Sequence, residues 1–277
     1  MSAPGTPGAR GTGRAEVVVL DVEGTTGSAA HVREVLFPFA RKRLADFLAH
    51  DAEDALVRAV VEAVRRETGR PGLDREGALE ALTRWADEDA KVAPLKTVQG
   101  RIWAEGYARG ELHGHVYPEV PGVLRRWRAD GIRIFSYSSG SVTAQRDWYR
   151  HTEHGDLTPL FRGMFDLENV GPKDRSASYH ALLARFGPLS VPPVLLSDAG
   201  AELDAAAGAG WRTIGVRRPG DPRGRVVPGH PTVPDLDRAR LQGPGPRGAP
   251  GGSPGEAVGS VDGPTGEETR VEAGDAP

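Results

Sequence analysis

The chain has 277 residues, with 35 Lys+Arg against 38 Asp+Glu and no cysteine. That length supports about one or two compact domains, and the near-balanced charge leaves no basic footprint for nucleic acid. Disulfides, Cys-ligated zinc and thiol nucleophiles are excluded, no apolar run reaches the ~18 residues of a membrane helix, and residues 1–14 lack the apolar stretch of a secretory signal. A soluble cytoplasmic protein is expected, with neither nucleic acid nor membrane as partner.

Glycine and proline concentrate at the ends. Residues 1–15 read as a disordered arm and residues 221–277 as a Gly/Pro-rich disordered tail, with 221–242 its Pro-rich beginning. From residue 243 onward ten Gly and six Pro accompany no apolar side chain larger than Val258, Val261 and Val271, too little to offset chain entropy. Between the ends, Glu16-Val17-Val18-Val19-Leu20 has the continuous apolar character of a buried parallel strand. Leu36, Phe37, Ala40, Leu44, Phe47 and Leu48 then recur at helical spacing, as do Leu56, Val57, Val60, Val61 and Val64, and Leu79, Leu82 and Trp85. Pro71-Gly72 and Pro94 punctuate these helices, and a further helix is predicted from about residue 95 to 107.

Strand patterns return at Ile132-Arg133-Ile134-Phe135-Ser136-Tyr137, Val194-Leu195-Leu196-Ser197 and Arg212-Thr213-Ile214-Gly215-Val216. Helical patterns at 143–150, 176–186 and 201–209 separate or follow them. Strands alternating with helices predict an α/β fold, a doubly wound parallel sheet with a Rossmann-like core. That core comprises residues 16–29 and 113–220, and residues 30–112 form an inserted all-helical cap.

In open α/β sheets the carboxyl ends of the strands carry the ligands. The first strand runs into Asp21-Val22-Glu23-Gly24-Thr25-Thr26, the second into Ser138-Ser139-Gly140-Ser141, and the third into Asp198, with Glu202 and Asp204 soon after. Gly171-Pro172-Lys173-Asp174 opens a helix between the last two. Each group alone is explained by helix capping or turn chemistry. Their convergence on one sheet edge is much harder to explain structurally, and Lys173 is one of only four lysines in an arginine-rich chain.

The set suits phosphoryl transfer. A strand-end Asp can accept a phosphoryl group, and a second carboxylate can protonate the leaving oxygen and then activate water. Several carboxylates beside a phosphate dianion call for a cation, and Asp21 and Asp198 offer hard oxygens suited to Mg²⁺. Ser138, Ser139 and Lys173 can hold phosphoryl oxygens. His113 and His115 form a His-x-His pair that lacks a third ligand in reach by sequence and reads as solvated or turn histidines.

Several stretches resemble the enolase-phosphatases of methionine salvage, within the haloacid-dehalogenase-like hydrolases. They are Asp21-Val22-Glu23-Gly24-Thr25-Thr26, Val35-Leu36-Phe37-Pro38-Phe39-Ala40-Arg41, Gln99-Gly100-Arg101-Ile102-Trp103, Gly106-Tyr107, Tyr137-Ser138-Ser139-Gly140-Ser141, Gly155-Asp156-Leu157-Thr158-Pro159-Leu160-Phe161 and Glu202-Leu203-Asp204-Ala205-Ala206. The likeness covers about residues 16–220, and Glu23 is its sharpest mark, since most of the superfamily carries Asp there.

The resemblance implies a monomeric, Mg²⁺-dependent cytoplasmic enzyme acting on a small phosphorylated diketone. Such an enzyme enolises 2,3-diketo-5-methylthiopentyl-1-phosphate and dephosphorylates it to 1,2-dihydroxy-3-keto-5-methylthiopentene. Asp21, Glu23 and Asp198 fall on the metal-binding positions, Ser138, Ser139 and Lys173 on substrate-binding ones, with Asp21 also the nucleophile and Glu23 the acid/base. Ala199-Gly200 departs from the bulkier residues expected after the metal aspartate. Phe37, Trp103 and Tyr107 could wall the substrate's methylthioalkyl chain, although helix–helix core is the more favoured role for them. Two other readings remain: a capped Mg²⁺-dependent phosphatase for another ester, and a non-catalytic phospho-acceptor module.

Overall fold

The computed structural model describes residues 12–49, 55–90 and 92–245. The elements follow as β1 (Thr12–Arg14), β2 (Val17–Leu20), α1 (Ala29–His31), a π-helical stretch (Val32–Leu36), α2 (Phe37–Ala49), α3 (Ala55–Thr68), α4 (Arg75–Asp87) and α5 (Ala93–Ala108). The second half contains α6 (Val120–Ala129), β3 (Arg133–Tyr137), α7 (Val142–Arg150), β4 (Gly163–Phe165), α8 (Ser176–Phe186), β5 (Val194–Ser197), α9 (Gly200–Gly208), β6 (Arg212–Val216), β7 (Thr232–Val233) and β8 (Arg240–Gln242).

Six strands form one sheet in the order β4-β3-β2-β5-β6-β7, with every pairing parallel. This is the doubly wound α/β fold expected from the alternation of strand and helix patterns. Successive β2 side chains enter opposite cores, as the two-residue strand period requires. Val18 and Leu20 join Leu124, Trp127, Ile134 and Ile214 on one face, while Val17 and Val19 join Tyr179, Leu182, Leu195 and Leu203 on the other. β2 is buried at all four positions, which is why its sequence shows a continuous apolar run instead of alternation.

From α1 to α5 the described residues contain helices and turns but no strand. This helical insert has an apolar cluster of its own, including Leu44, Leu48, Val60, Val64, Leu82, Trp85 and Val98. Phe39 and Trp103 pack against both that cluster and one face of the sheet core. Asp74 caps α4, its carboxylate accepting from the Gly77 N–H at 2.8 Å.

Both ends of the fold reach further than the composition suggested. Residues 12–14, expected within a disordered arm, form β1 in parallel register with β8, and Ala15 N–H donates to the Gln242 carbonyl at 2.8 Å. Residues 221–245, expected within the disordered tail, supply β7, β8 and the buried side chains Val227, Val233, Leu236, Ala239 and Leu241. The apolar residues there are separated by Gly and Pro, which short edge strands and turns tolerate. Residues 1–11 and 246–277, the rest of the expected arm and tail, lie outside the described residues. β4 and α6 were also not anticipated.

Candidate active site

The sheet register gathers the chemistry-bearing residues before any side chain is considered. Leu20 pairs with Ser136 on β3 and Leu196 on β5, so the strands continue together into Asp21, Tyr137-Ser138 and Ser197-Asp198. Asp21 N–H donates to the Leu196 carbonyl at 3.0 Å, fixing where the carboxylate emerges.

The turn after β2 is tight. Thr26 and Gly27 N–H groups both donate to the Val22 carbonyl, at 3.0 and 2.8 Å, and Gly24 N–H donates to the Gly27 carbonyl at 2.7 Å. Gly24 has φ +77°, the left-handed region that favours glycine. A Cβ there would lie 2.3 Å from Asp198 Oδ2, so the missing side chain opens the approach to that carboxylate. Thr25 Oγ1 donates to Asp21 Oδ2 at 3.1 Å, while Thr26 Oγ1 donates to the Asp21 carbonyl at 3.1 Å and meets the Tyr149 hydroxyl at 2.7 Å. The motif's two threonines thus fix the side chain and main chain of its aspartate.

Lys173, 8% exposed, lies between two acids: Nζ donates to Asp21 Oδ1 at 2.5 Å and pairs with Glu202 Oε2 at 2.8 Å. Burial works against its ammonium, but Asp21 and Glu202 outweigh this and raise its pKa. The Glu202 carboxyl is pushed up to about 7, by burial first and the Asp21 charge next, with Lys173 opposing. Ser197 Oγ donates to Glu202 at 2.7 Å and completes this chain. Helix-start chemistry alone would have explained Glu202 in the sequence; with its side chain 17% exposed, it is instead a largely buried member of the cluster. Its signal was its position four residues after Asp198, in the first turn of α9.

Asp198 is also buried, and its pKa is raised by burial and by Asp21, against the pull of Arg223. Arg223 donates to Asp198 Oδ2, and Arg217 donates to the Asp198 carbonyl. Ser138 is buried and its Oγ accepts from Gly140 N–H at 3.1 Å, whereas Ser139 is exposed. Gln145, absent from the sequence reading, holds this serine turn. It accepts from Ser136 Oγ at 2.6 Å and donates to the Gly140 and Phe165 carbonyls, both at 2.8 Å. Glu23 is exposed on the turn, and among the described residues no group of three or more acids or histidines converges as metal ligands would. Asp21 and Asp198, with the opening that Gly24 leaves, still suit a cation that keeps several waters and takes one or two protein carboxylates.

The remaining candidates separate. Trp103 donates to the Leu36 carbonyl at 2.8 Å and stacks on Phe37, and Tyr107 is buried in the sheet core, so Trp103 and Tyr107 take the packing role favoured for them. His115 Nδ1 accepts from Ser28 N–H at 3.1 Å, and the His113 carbonyl meets His31 Nε2 at 3.0 Å, which makes both residues part of the join between insert and sheet. Two cavities, of about 350 and 400 Å³, lie elsewhere, one in the insert beside Phe39 and Arg101 and one beside Leu189 and Trp211. Neither includes a member of the acid–lysine cluster. No described helix is long and apolar enough to cross a membrane.

No family model matches the chain. It is 48% identical over 205 residues to "Enolase-phosphatase E1" of Streptomyces avermitilis, covering 74% of this chain and 86% of that protein. Among solved structures, the UTR4 protein of Saccharomyces cerevisiae superposes with a TM-score of 0.67 at 28% identity, over 81% of this chain and 99% of that one. A putative HAD-hydrolase of Bacillus subtilis, bound to magnesium, shares the fold at a TM-score of 0.51 and 14% identity, over 81% of this chain and 96% of that one.

Proposed function

The chain belongs to the enolase-phosphatase E1 family of haloacid-dehalogenase-like hydrolases, and from that premise we propose its substrate, cation and division of labour. The substrate is 2,3-diketo-5-methylthiopentyl-1-phosphate, which is enolised and then dephosphorylated to 1,2-dihydroxy-3-keto-5-methylthiopentene in methionine salvage. The enzyme works as a cytoplasmic monomer with Mg²⁺. The observation that carries this reading is the buried cluster at the sheet edge, where Asp21 is held by Lys173 and Thr25 beside Asp198.

Asp21 is the nucleophile: its carboxylate attacks phosphorus, the phosphorus–oxygen bond to the leaving group breaks, and an aspartyl-phosphate forms. Glu23 gives the departing oxygen its proton, then takes one from the water that attacks phosphorus, releasing phosphate and restoring Asp21. Its exposure on the same turn supports exchange of that proton with solvent. Ser138, Ser139 and Lys173 hold the phosphoryl oxygens, and the rigid setting of the serine turn by Gln145 supports that role. Asp21, Glu23 and Asp198 would hold the Mg²⁺, which when bound neutralises charge on the phosphoryl group and the surrounding acids.

The test is the purified chain assayed on the diketo phosphate, with phosphate release and the transient ultraviolet band of the enol followed together, with Mg²⁺ and with EDTA. Both signals should appear with Mg²⁺ and vanish with chelator. Phosphate released no faster than from a generic ester would move the substrate assignment to another small phosphate ester, and chelator-resistant turnover would reject the cation.

A further inference from the structure

Three of the buried acids at the sheet edge are matched by two cations of different kinds. Lys173 is enclosed and shared by Asp21 and Glu202. Asp198 receives its cation from outside: Arg223 reaches back from the loop after β6, and its side chain is half exposed. That loop is built to present the guanidinium. Asp221 accepts from the Arg223 backbone N–H at 2.8 Å, from Nε at 3.0 Å and, through its other oxygen, from Nη2 at 2.8 Å. Arg217 approaches Asp221 Oδ2 at 3.8 Å and donates to the Asp198 carbonyl. One guanidinium nitrogen, Nη2, therefore bridges Asp221 to Asp198 Oδ2, and Oδ2 is the oxygen that the missing Gly24 side chain leaves approachable.

We propose that Arg223 is a tethered counter-cation of the site, competing with the divalent metal for the Asp198 carboxylate and leaving it when the metal binds. The inference rests on the assignment of Asp198 as a metal ligand. Two carboxylates as close as Asp21 and Asp198 repel, and burial strengthens the repulsion. Arg223 relieves that cost at Asp198 as Lys173 does at Asp21, but only Lys173 is enclosed; Arg223 can swing into solvent while Asp221 keeps its loop in place. A permanently charged guanidinium suits the role because it cannot discharge itself by losing a proton. The consequence is a site that charges itself for the cation in two steps: an internal ion pair first, then exchange of that pair for Mg²⁺. Such exchange sets the Mg²⁺ affinity below what two converging carboxylates would otherwise give.

Mg²⁺ binding, measured by calorimetry on the full chain without substrate, tests this with wild type, Arg223→Gln, Arg225→Gln and Asp198→Asn. Arg223→Gln should bind Mg²⁺ roughly fivefold more tightly, the equilibrium equivalent of one half-exposed ion pair. It should also melt at a lower temperature than wild type in EDTA and gain more on adding Mg²⁺. Arg225→Gln removes the same charge from an exposed position two residues along the loop and should change affinity by less than about twofold. Equal Mg²⁺ affinity in wild type and Arg223→Gln, with binding abolished in Asp198→Asn, overturns the competition and leaves the metal assignment standing. Equal tightening in Arg223→Gln and Arg225→Gln likewise overturns it, because net charge alone then explains the gain. Undiminished binding by Asp198→Asn overturns both.

Discussion

The carboxyl edge of the sheet and the helical insert are held together by different forces. At the edge, Asp21, Thr25, Lys173, Ser197, Asp198, Arg217 and Arg218 are all buried and most are fixed by directional bonds. Arg218 alone spans three segments, donating to the Thr25 carbonyl, pairing with Glu119 at 2.5 Å and lying 3.7 Å over the Tyr117 ring. In the insert, Gln99 is the only buried polar side chain among the described residues, and the rest of its interior is apolar. Burial of apolar area is non-directional and tolerates exchange of like volumes, whereas a buried charge tolerates only its own partner. The edge should therefore fail by loss of chemistry and the insert by loss of stability.

Asp21→Asn gives the sharpest break. It keeps the side chain's shape but removes the charge of the proposed nucleophile, and steady-state turnover should fall by at least about 10³-fold, with circular dichroism unchanged. Near-normal turnover would reject Asp21 as nucleophile. Leu82→Ala in the insert should instead cost about 2–5 kcal/mol in denaturant unfolding, because Leu82 is fully buried and its neighbours relax only in part. Leu82→Met, of similar volume, should cost less than about 1.5 kcal/mol. Equal losses from both would mean that the insert, too, depends on exact shape.

Gly24→Ala tests the edge more gently. It places a Cβ in a left-handed conformation and against the Asp198 carboxylate, at a cost of about 1–2 kcal/mol measured by urea unfolding, with weakened Mg²⁺ binding. The smallest effect is at the join of the two regions, where the His31 and His115 rings lie 5.7 Å apart. Burial lowers both pKa values below the ordinary 6.5, although nearby Glu153 opposes this. The folded chain then binds fewer protons than the unfolded one, so stability present above pH 6.5 is lost as pH falls through and below that value. Both rings are partly solvated, so the loss should stay under about 1 kcal/mol in urea titrations between pH 7.5 and 5. The double variant His31→Asn/His115→Asn should flatten the slope.

This contrast also explains what the sequence made legible. β2 and β5 were readable because strands buried at every position leave apolar runs, and β3 and β6 because half-covered positions there still carry the aromatic Phe135 and the β-branched Thr213. The insert was readable because Val57, Val60, Val61 and Val64 repeat at helical spacing. Asp21, Ser138, Lys173 and Asp198 stood out because each follows a strand or opens a helix on one edge, and the structure brings them there. α6 was missed although Val120, Val123, Leu124 and Trp127 carry the pattern, because Pro121-Gly122 imitates a turn; proline in a first helical turn costs nothing. β7 and β8 were hidden because two or three residues between prolines and glycines leave no period. Arg223 and Gln145 could not be read at all: their roles depend on partners 25 and as few as five residues away, and neither spacing has a motif.

The pairing of β2 with β3 has a temporal consequence. The strand that bears Asp21 finds its first neighbour more than a hundred residues downstream, and its second, β5, later still. Contacts of such long sequence separation form late, while the local helix pairs between them can form early. During synthesis the Asp21 carboxylate thus leaves the ribosome at the end of an orphan strand, with α1 to α5 emerging before either flanking strand.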